Sequence, residues 1–231
     1  MKIITIIPAR GGSKSLPRKN ILSLNGKPLL CYSVDYSLRS QLVINTVVST
    51  DSLEIADIAK NSGALVPFLR PDEYAKDDTR DYPVLRHALD FFEGQGQIFD
   101  VYILLRPTSP LRPPGLIEKA LKILEENIDA TSVRSMAIVK EHPYRVWRQN
   151  GDKSVCGFIE AEEEPYNIPR QDLPELLFQT GDIEVIRRET IINGSISGAC
   201  VYPLIINHEE MIDIDSQSDF DRAEKFNVNK Q

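Results

Sequence analysis

Residues 3–20 of the chain read Ile-Ile-Thr-Ile-Ile-Pro-Ala-Arg-Gly-Gly-Ser-Lys-Ser-Leu-Pro-Arg-Lys-Asn. The first six of these residues are almost continuously apolar and β-branched, which is typical of a strand covered on both faces. The others are rich in Gly, Ser and Pro and include the cations Arg10, Lys14, Arg18 and Lys19. The two glycines allow backbone amides to turn toward an anion, and the serines add hydroxyl donors. These residues therefore predict a buried first strand followed by a phosphate-binding loop.

Positive charge is concentrated near the start of the chain. Residues 1–34 carry six cations and no acid, whereas the whole chain of 231 residues has a net charge of −7. Nucleic-acid binding requires an extended basic surface, so this distribution favours a small polyanion as the ligand and no nucleic-acid partner. The loop lacks the spacing of a P-loop, and the chain has no Gly-x-Gly-x-x-Gly motif. ATPases and dinucleotide-dependent dehydrogenases are therefore not indicated.

The composition argues against several other classes of protein. Hydrophobic residues make up 42% of the chain and charged residues 26%, as in an ordinary globular protein. No apolar run reaches the ~18 residues of a membrane span, and no signal-peptide pattern is evident, so we expect a cytoplasmic protein with no membrane partner. The cysteines and histidines are scattered, and no serine stands in Gly-x-Ser-x-Gly. Disulfide scaffolds, structural zinc and covalent catalysis are therefore not indicated.

The hydrophobic spacing predicts a repeated order of strand, loop and helix. We expect Asp51 to cap the second helix, with Glu54 completing a capping box. Such a repeat predicts a mainly parallel sheet with helices on both faces, and it brings the loops after the strands to one ligand-binding edge. Predicted strands cover residues 3–8, 44–49, 64–68, 101–105 and 130–133, and predicted helices cover residues 29–38, 52–61, 83–92 and 114–126.

The pattern changes between about residues 136 and 180, where periodicity is weak. We interpret this part as a hairpin-like arm inserted into a single domain that spans residues 1–231, and we expect it to serve as a lid or a dimer contact. Beyond the arm, the chain predicts strands over residues 183–186 and 199–202 and a closing helix from about Asp219.

Two carboxylates stand close together near the end of the chain, in the sequence Asp213-Ile214-Asp215. Both point to one side if the segment is extended. Mg²⁺ is commonly held by one or two carboxylates together with phosphate oxygens and water, so the pair suits metal-assisted phosphoryl or nucleotidyl transfer. The alternative is that these acids only favour the start of the final helix, which Ser216 and Asp219 would cap.

Taken in order, these motifs resemble the N-acylneuraminate cytidylyltransferases (CMP-sialic acid synthetases) over about residues 3–223. The resemblance implies a Rossmann-like three-layer nucleotide-diphospho-sugar transferase fold, an α/β fold with a mainly parallel sheet and a protruding lid or dimerisation region. It implies a homodimer that couples CTP to a 2-keto nonulosonic acid with Mg²⁺ or Mn²⁺, giving the CMP-sugar and pyrophosphate. The matching segments are residues 7–14 with 18–20, 48–51, 69–71, 107–112, 169–174 and 213–215.

The resemblance also implies roles for individual residues. Lys19, Arg10 and Asp215 are the implied catalytic residues, and Asp213 and Asp215 would hold the metal. The implied CTP contacts are Arg10, Gly11, Ser13, Lys14, Lys19, Asn20 and Arg70. The implied contacts to the sugar are Arg106, Thr108, Ser109, Arg170 and Gln171.

Two departures from the family pattern fall in the expected sugar pocket. The family usually has Gln where this chain has Arg106, and often reads Leu-Asn-Gly-Ala-Ile-Tyr where this chain has Gln-Thr-Gly-Asp-Ile-Glu at residues 179–184. N-acetylneuraminate is the first acceptor to consider, and a legionaminic-type diamino nonulosonate is its rival. A Kdo-type synthetase fits less well, because that family carries Gln-Gly-Asp at residues 106–108. A non-catalytic nucleotide-sugar-binding protein and a nucleotidyltransferase for another base remain open, although Asp213 and Asp215 together favour a catalyst.

Overall fold

A computed structural model of the protein describes residues 1–14, 16–160, 163–207 and 211–228. Ser15, one of the serines of the predicted phosphate-binding loop, lies outside the described residues. The strands are β1 (Ile3–Pro8), β2 (Ser23–Leu24), β3 (Lys27–Pro28), β4 (Asn45–Ser49), β5 (Val101–Leu104), β6 (Ser132–Ile138), β7 (Trp147–Gln149), β8 (Val155–Gly157), β9 (Leu177–Arg187) and β10 (Val201–Ile205). The α-helices are α1 (Leu29–Leu38), α2 (Leu53–Asn61), α3 (Asp81–Gly94), α4 (Leu116–Glu126), α5 (Arg188–Ile192) and α6 (Gln217–Val228).

One six-stranded sheet organises the chain, in the order β10-β6-β9-β5-β1-β4. β1 pairs parallel with β4 and with β5, and β10 pairs parallel with β6. β9 runs antiparallel to both of its neighbours, β5 and β6, so the other strands all point the same way. The prediction of a mainly parallel sheet is confirmed, and the loops after β1, β4 and β5 meet at one edge.

Helices cover both faces of this sheet, because the residues of β1, β4 and β5 alternate between two apolar clusters. Ile3 and Ile7 of β1 belong to the cluster packed against α1, α2 and α4. Ile4 and Ile6 belong to the cluster packed against α3 and α5. The continuous apolar run of β1 therefore forms a strand that is covered on both sides, as expected.

Two local predictions are wrong. Residues 64–68 do not form a strand: Leu65 makes a single bridge to Val47 of β4, and Pro67 has no N–H with which to extend the ladder. The cap of α2 is Ser52, whose hydroxyl accepts from the backbone N–H of Ile55. Asp51 does not cap the helix because its carboxylate accepts a backbone N–H from the loop after β1.

The chain between β6 and β9 carries little of the main sheet. Within it, β7 and β8 form a separate antiparallel hairpin, which is followed by two short 3₁₀ turns. The long strand β9 then returns through the sheet between β5 and β6. We call residues 139–176 the arm.

A third apolar cluster joins the two ends of the chain. Leu16, from the loop after β1, packs with Ile212 and Ile214 and with residues of β2, α1 and α6. Burial of these two isoleucines fixes the orientation of the segment before α6 and leaves the carboxylates of Asp213 and Asp215 exposed.

Candidate active site

A cleft with a volume of about 510 Å³ opens at the carboxyl ends of β1, β4 and β5. This is the edge at which open α/β sheets bind ligands. Many of the residues singled out from the sequence line it. They come from the loop after β1, the segment between α2 and α3, the loop after β5 and the segment before α6. They are Arg10, Ser13, Lys14, Lys19, Asn20, Arg70, Arg106, Thr108 and Asp215.

The loop after β1 is held in place by polar contacts to its backbone. The amide side chain of Asn20 donates to the carbonyl of Arg10 at 2.8 Å, and the backbone N–H of Gly11 donates to Asp51 at 2.8 Å. A Cβ at Gly11 would lie 3.2 Å from Cβ of Ser52, so a glycine lets the loop approach α2 closely. The Gly11 amide thus secures the loop instead of pointing freely toward an anion.

Cationic side chains converge on this cleft, and those of the loop after β1 pair with carboxylates. Arg10 lies 2.9 Å and Lys14 lies 2.6 Å from the carboxylate of Asp77. The hydrogen bond from Lys14 lowers the pKa of Asp77, and the charge of Arg10 lowers it further. The fourth cation of the loop, Arg18, instead pairs with Glu54 on α2. Nothing in the local sequence pattern marked Asp77, because its role depends on a tertiary contact.

Arg70 forms the buried wall of the cleft. Its guanidinium donates to the hydroxyl of Ser49 at 3.1 Å and to the carbonyl of Tyr74 at 3.3 Å. Burial lowers the pKa of Arg70 to about 10, which still leaves it charged at neutral pH. The side chain is thus a fixed cation at the end of β4.

Lys19 and Asp215 are 196 residues apart in sequence and meet at the rim of the cleft, where Nζ lies 2.9 Å from the Asp215 carboxylate. The segment that carries Asp215 is fixed to the loop after β5, because the backbone N–H of Ile214 donates to the carbonyl of Thr108 at 2.8 Å. Lys19 of the early cationic loop and one of the two late carboxylates, Asp215, are therefore in contact in the folded chain.

Asp213 and Asp215 have the chemistry that a magnesium ion requires. Their carboxylates are exposed and alternate with buried isoleucines. The start of α6 is capped by Ser216 and Asp219, as the alternative interpretation of this segment also expects. In the described part of the chain, no group of three or more acidic, His or Cys side chains is placed to hold a metal alone. A pair of hard oxygen ligands that needs phosphate oxygens and water to complete the shell is what Mg²⁺ commonly uses.

Asp213 does not line this cleft; it lies against β9 and lines a second cavity with Phe178 and Arg222. A Cβ at Gly181 would stand 3.3 Å from Oδ2 of Asp213 and 2.9 Å from Oγ of Ser109. Ser109 is 1% exposed, and within the described residues its hydroxyl has no hydrogen-bond partner. Three residues from separate parts of the chain are thus in close contact at this point.

The residues predicted to contact the sugar fall into three groups. Arg106 and Thr108 line the cleft, whereas Ser109 is buried beneath it. Arg170 and Gln171 lie on a 3₁₀ turn of the arm, where Arg170 lines a separate cavity with His142 and Arg145. Within one chain, the last two residues are therefore not brought to the cleft.

The loop after β5 is fixed by a buried arginine. Arg112 donates to the backbone carbonyls of Asp182 and Arg106 and to the hydroxyl of Ser33. Burial lowers its pKa to about 10. Through these bonds the loop is joined to β9 and α1. The backbone at Arg106, directly after β5, is therefore held in a fixed position.

Comparisons with known proteins show which family and which solved structures this chain is similar to. A family profile described as Cytidylyltransferase matches residues 4–231. The CMP-N,N'-diacetyllegionaminic acid synthase of Legionella pneumophila is 35% identical, over 97% of this chain and 96% of that protein. The N-acylneuraminate cytidylyltransferase of Escherichia coli O18:K1:H7 is 32% identical over 96% of this chain, which spans only 51% of that longer protein.

A solved structure, described as CMP:2-keto-3-deoxy-manno-octonic acid synthetase complexed with CTP, matches the fold. The two chains superimpose with a TM-score of 0.74 over the full length of both, at 17% identity. The expected Rossmann-like α/β fold is thereby confirmed. Since the profile covers nearly the whole chain and relatives above 30% identity align along it, the chain belongs to the cytidylyltransferase family.

Proposed function

We propose that this protein transfers the CMP group of CTP to a 2-keto nonulosonic acid and releases pyrophosphate. The observation that carries the proposal is the cleft in which Arg10, Lys14 and Lys19 converge with Asp215, at the edge of a cytidylyltransferase fold. The names of the relatives from L. pneumophila and E. coli support the choice of nucleotide and of acceptor class. We place this activity in the cytoplasm, where CTP is available.

In the described part of the chain, no helix has the length and apolar character of a membrane span.

The cations of the cleft match a triphosphate in charge and position. Arg10 and Lys14 exchange the carboxylate of Asp77 for phosphate oxygens, and Lys19 stabilises the negative charge that develops on the departing pyrophosphate. Asn20 and Arg70 contact the nucleotide from the wall of the cleft. The main contribution of the protein is to position the reactants and balance charge.

In the reaction, the anomeric hydroxyl of the acceptor attacks the α-phosphorus. The bond between this phosphorus and the β-phosphate oxygen breaks, pyrophosphate leaves, and the hydroxyl proton passes to water. Asp213 and Asp215 would hold a Mg²⁺ or Mn²⁺ ion, which would supply positive charge to the phosphate oxygens. Lys19, which contacts Asp215, adds a further positive charge at the same rim of the cleft.

The arm provides the surface for the proposed homodimer. Its hairpin exposes large apolar side chains: Trp147 is 46% exposed, Val155 is 55% exposed and Phe158 is 56% exposed. Large apolar side chains that are exposed together in one segment are typical of an interface. We propose that a second copy of the chain covers it and that the arm thereby brings Arg170 and Gln171 toward a sugar site. Light scattering coupled to size exclusion tests this, since a monomer at micromolar concentration would contradict it.

We propose two candidate acceptors. The overall resemblance suggests N-acetylneuraminate. A legionaminic-type acceptor is favoured by Arg106 and Glu184, which stand where the sialic acid family has uncharged residues, and by the alignment over almost the full length of the L. pneumophila synthase.

The decisive test is a pyrophosphate-release assay that crosses four nucleoside triphosphates with a panel of 2-keto sugar acids, with and without Mg²⁺. We expect turnover with CTP and a nonulosonic acid only when the metal is present. Equal turnover with GTP or UTP would indicate a nucleotidyltransferase of broader base choice. CTP binding without pyrophosphate release from any acceptor would instead indicate a non-catalytic binding protein.

A further inference from the structure

A buried ionic network lies beside the cleft, at the carboxyl end of β5. Glu184 of β9 is fully buried and accepts a hydrogen bond from the NH2 group of Arg106 at 2.6 Å. Arg134 of β6 approaches the other oxygen of this carboxylate to 2.8 Å. Gln179 completes the network by accepting from Arg134 at 2.6 Å and donating to Glu184 at 3.3 Å.

The same NH2 group of Arg106 also donates to Asp81, at the start of α3. Arg106 is therefore hydrogen-bonded to two carboxylates that belong to different elements of the fold. Burial lowers the pKa of Arg106, but the two carboxylates outweigh burial and raise it overall. The guanidinium is held in one orientation and remains charged.

Only one nitrogen of Arg106 is used in this way. Its Nε and NH1 groups make no hydrogen bond within the described part of the chain, although the side chain is 23% exposed and lines the cleft. The side chain of Arg106 lines the cleft together with Thr108 and Asp215. The fixed guanidinium is thus placed to donate to a molecule bound beside the nucleotide.

The charge balance of the network indicates which acceptor atoms these donors suit. Arg106 and Arg134 carry two positive charges, which Asp81 and Glu184 already neutralise. A carboxylate placed on Arg106 would therefore lie close to two other carboxylates, and like charges at this distance repel. An uncharged carbonyl oxygen accepts the same hydrogen bonds without that repulsion.

We propose that Arg106, oriented by Glu184, is a specificity-determining residue that donates to the carbonyl of a second N-acyl group on the sugar acceptor. This inference rests on the proposed function. The sialic acid family, whose acceptor has one N-acyl group, usually has Gln at this position. A donor-only arginine suits an acceptor that presents an amide carbonyl where N-acetylneuraminate presents a hydroxyl. Glu184 acts through Arg106 and is a positioning residue.

The test compares three acceptors that differ in the number of N-acyl groups: N,N'-diacetyllegionaminate with two, N-acetylneuraminate with one, and a deaminated nonulosonate with none. In the wild type, kcat/KM is expected to be highest for the two-acyl acceptor. In Arg106→Gln, the ratio of the two-acyl to the one-acyl acceptor should fall at least ~tenfold, while KM for CTP stays within about threefold. Arg106→Lys should not restore the ratio, because an ammonium lacks the planar fork.

Glu184→Gln tests the positioning role, since it keeps the shape of the side chain and removes its charge. We expect the same loss of acceptor selectivity as in Arg106→Gln, with kcat/KM for the one-acyl acceptor retained. Because Glu184 is fully buried, thermal unfolding is measured alongside, and Asp81→Asn provides a second variant whose side chain is 30% exposed. Arg86→Gln is the matched control: this arginine pairs with Asp90 on α3 and should leave selectivity unchanged.

The outcomes separate the inference from the proposed function. If the wild type turns over none of the three acceptors with CTP, the proposed function fails, and the inference fails with it. If the wild type is active and Arg106→Gln loses activity equally on all three, Arg106 contacts a group common to them, such as the carboxylate, and the inference is overturned. An unchanged ratio, or a fall only between the one-acyl and the deaminated acceptor, overturns it as well.

Discussion

Replacing Gly181 by Ala tests whether close packing behind the cleft holds Asp213 in place. Gly181 belongs to β9, and its backbone does not require a glycine conformation. Space is the constraint: the new Cβ would stand 2.9 Å from Oγ of Ser109 and 3.3 Å from Oδ2 of Asp213. The first distance is shorter than a normal contact, and Ser109 is 1% exposed, so its hydroxyl has little room to move away.

Two effects are expected from this substitution. Overpacking of a buried position costs about 1–3 kcal/mol. For a chain of this length each kcal/mol corresponds to about 2–4 °C in Tm, so Tm should fall by about 2–12 °C. The methyl group should also displace the carboxylate of Asp213, the proposed metal ligand, and disturbing the group that orients a metal ligand typically weakens metal affinity about 10–100-fold. The Mg²⁺ concentration for half-maximal turnover should therefore rise at least ~tenfold.

Thermal unfolding and a Mg²⁺ titration of pyrophosphate release measure the two effects separately. Gly94→Ala is the matched control, because Gly94 ends α3 with open space around it and should tolerate the methyl group. Ser109→Ala alone should be neutral or slightly stabilising, since it removes a buried hydroxyl that has no partner among the described residues. In the double variant with Gly181→Ala, it should recover most of the lost Tm. Wild-type Tm and Mg²⁺ dependence in Gly181→Ala would refute the reasoning, and so would a double variant no better than the single one.

Three further predictions concern the charged groups of the cleft. Asp77→Asn should lower KM for CTP about two- to fivefold without raising kcat, because Arg10 and Lys14 then do not have to leave a carboxylate before they bind phosphate. A higher KM in steady-state assays would show that Asp77 assists binding instead. Asp215→Asn should reduce kcat at least ~100-fold through lost metal charge while leaving Tm unchanged, and near-normal turnover would remove Asp215 from the site. Lys19→Ala should lower kcat more than it weakens sugar binding measured by calorimetry, and an unaltered kcat would contradict its assigned role.

Most of the regular structure follows from local pattern. The apolar run of β1 and the helical spacing of α1, α3 and α4 are confirmed within a few residues, because burial against a sheet imposes these periods directly. The wrong strand at residues 64–68 shows the limit of this approach: an apolar run predicts a strand only if its backbone can pair, and Pro67 interrupts the ladder. The antiparallel pairing of β9 with β5 and β6 is a property of the whole sheet and leaves no local signal.

In the candidate site, too, the residues with a local sequence signal could be predicted, and those whose roles depend on tertiary contacts could not. Arg10, Lys14 and Lys19 were found because glycines and cations concentrate in one short loop, and that loop does line the cleft. Asp77 and Glu184 were not assigned roles, because their partners come from distant elements. A lone acid in a loop or strand has many possible partners, and only the folded chain selects one.

The network around Glu184 constrains how this protein is able to diverge. Replacing Glu184 alone leaves the side chain of Arg134 without its carboxylate partner, and a buried charge without a partner usually destabilises a protein more than replacing the whole group with apolar or amide side chains. Glu184 and Arg134 therefore have to be exchanged together if an ancestor or descendant is to line the same pocket with neutral groups. Variants with only one of these changes are less stable than either the charged or the neutral set. Lineages with the charged pocket and lineages with the neutral pocket should therefore keep separate substrate preferences over long periods.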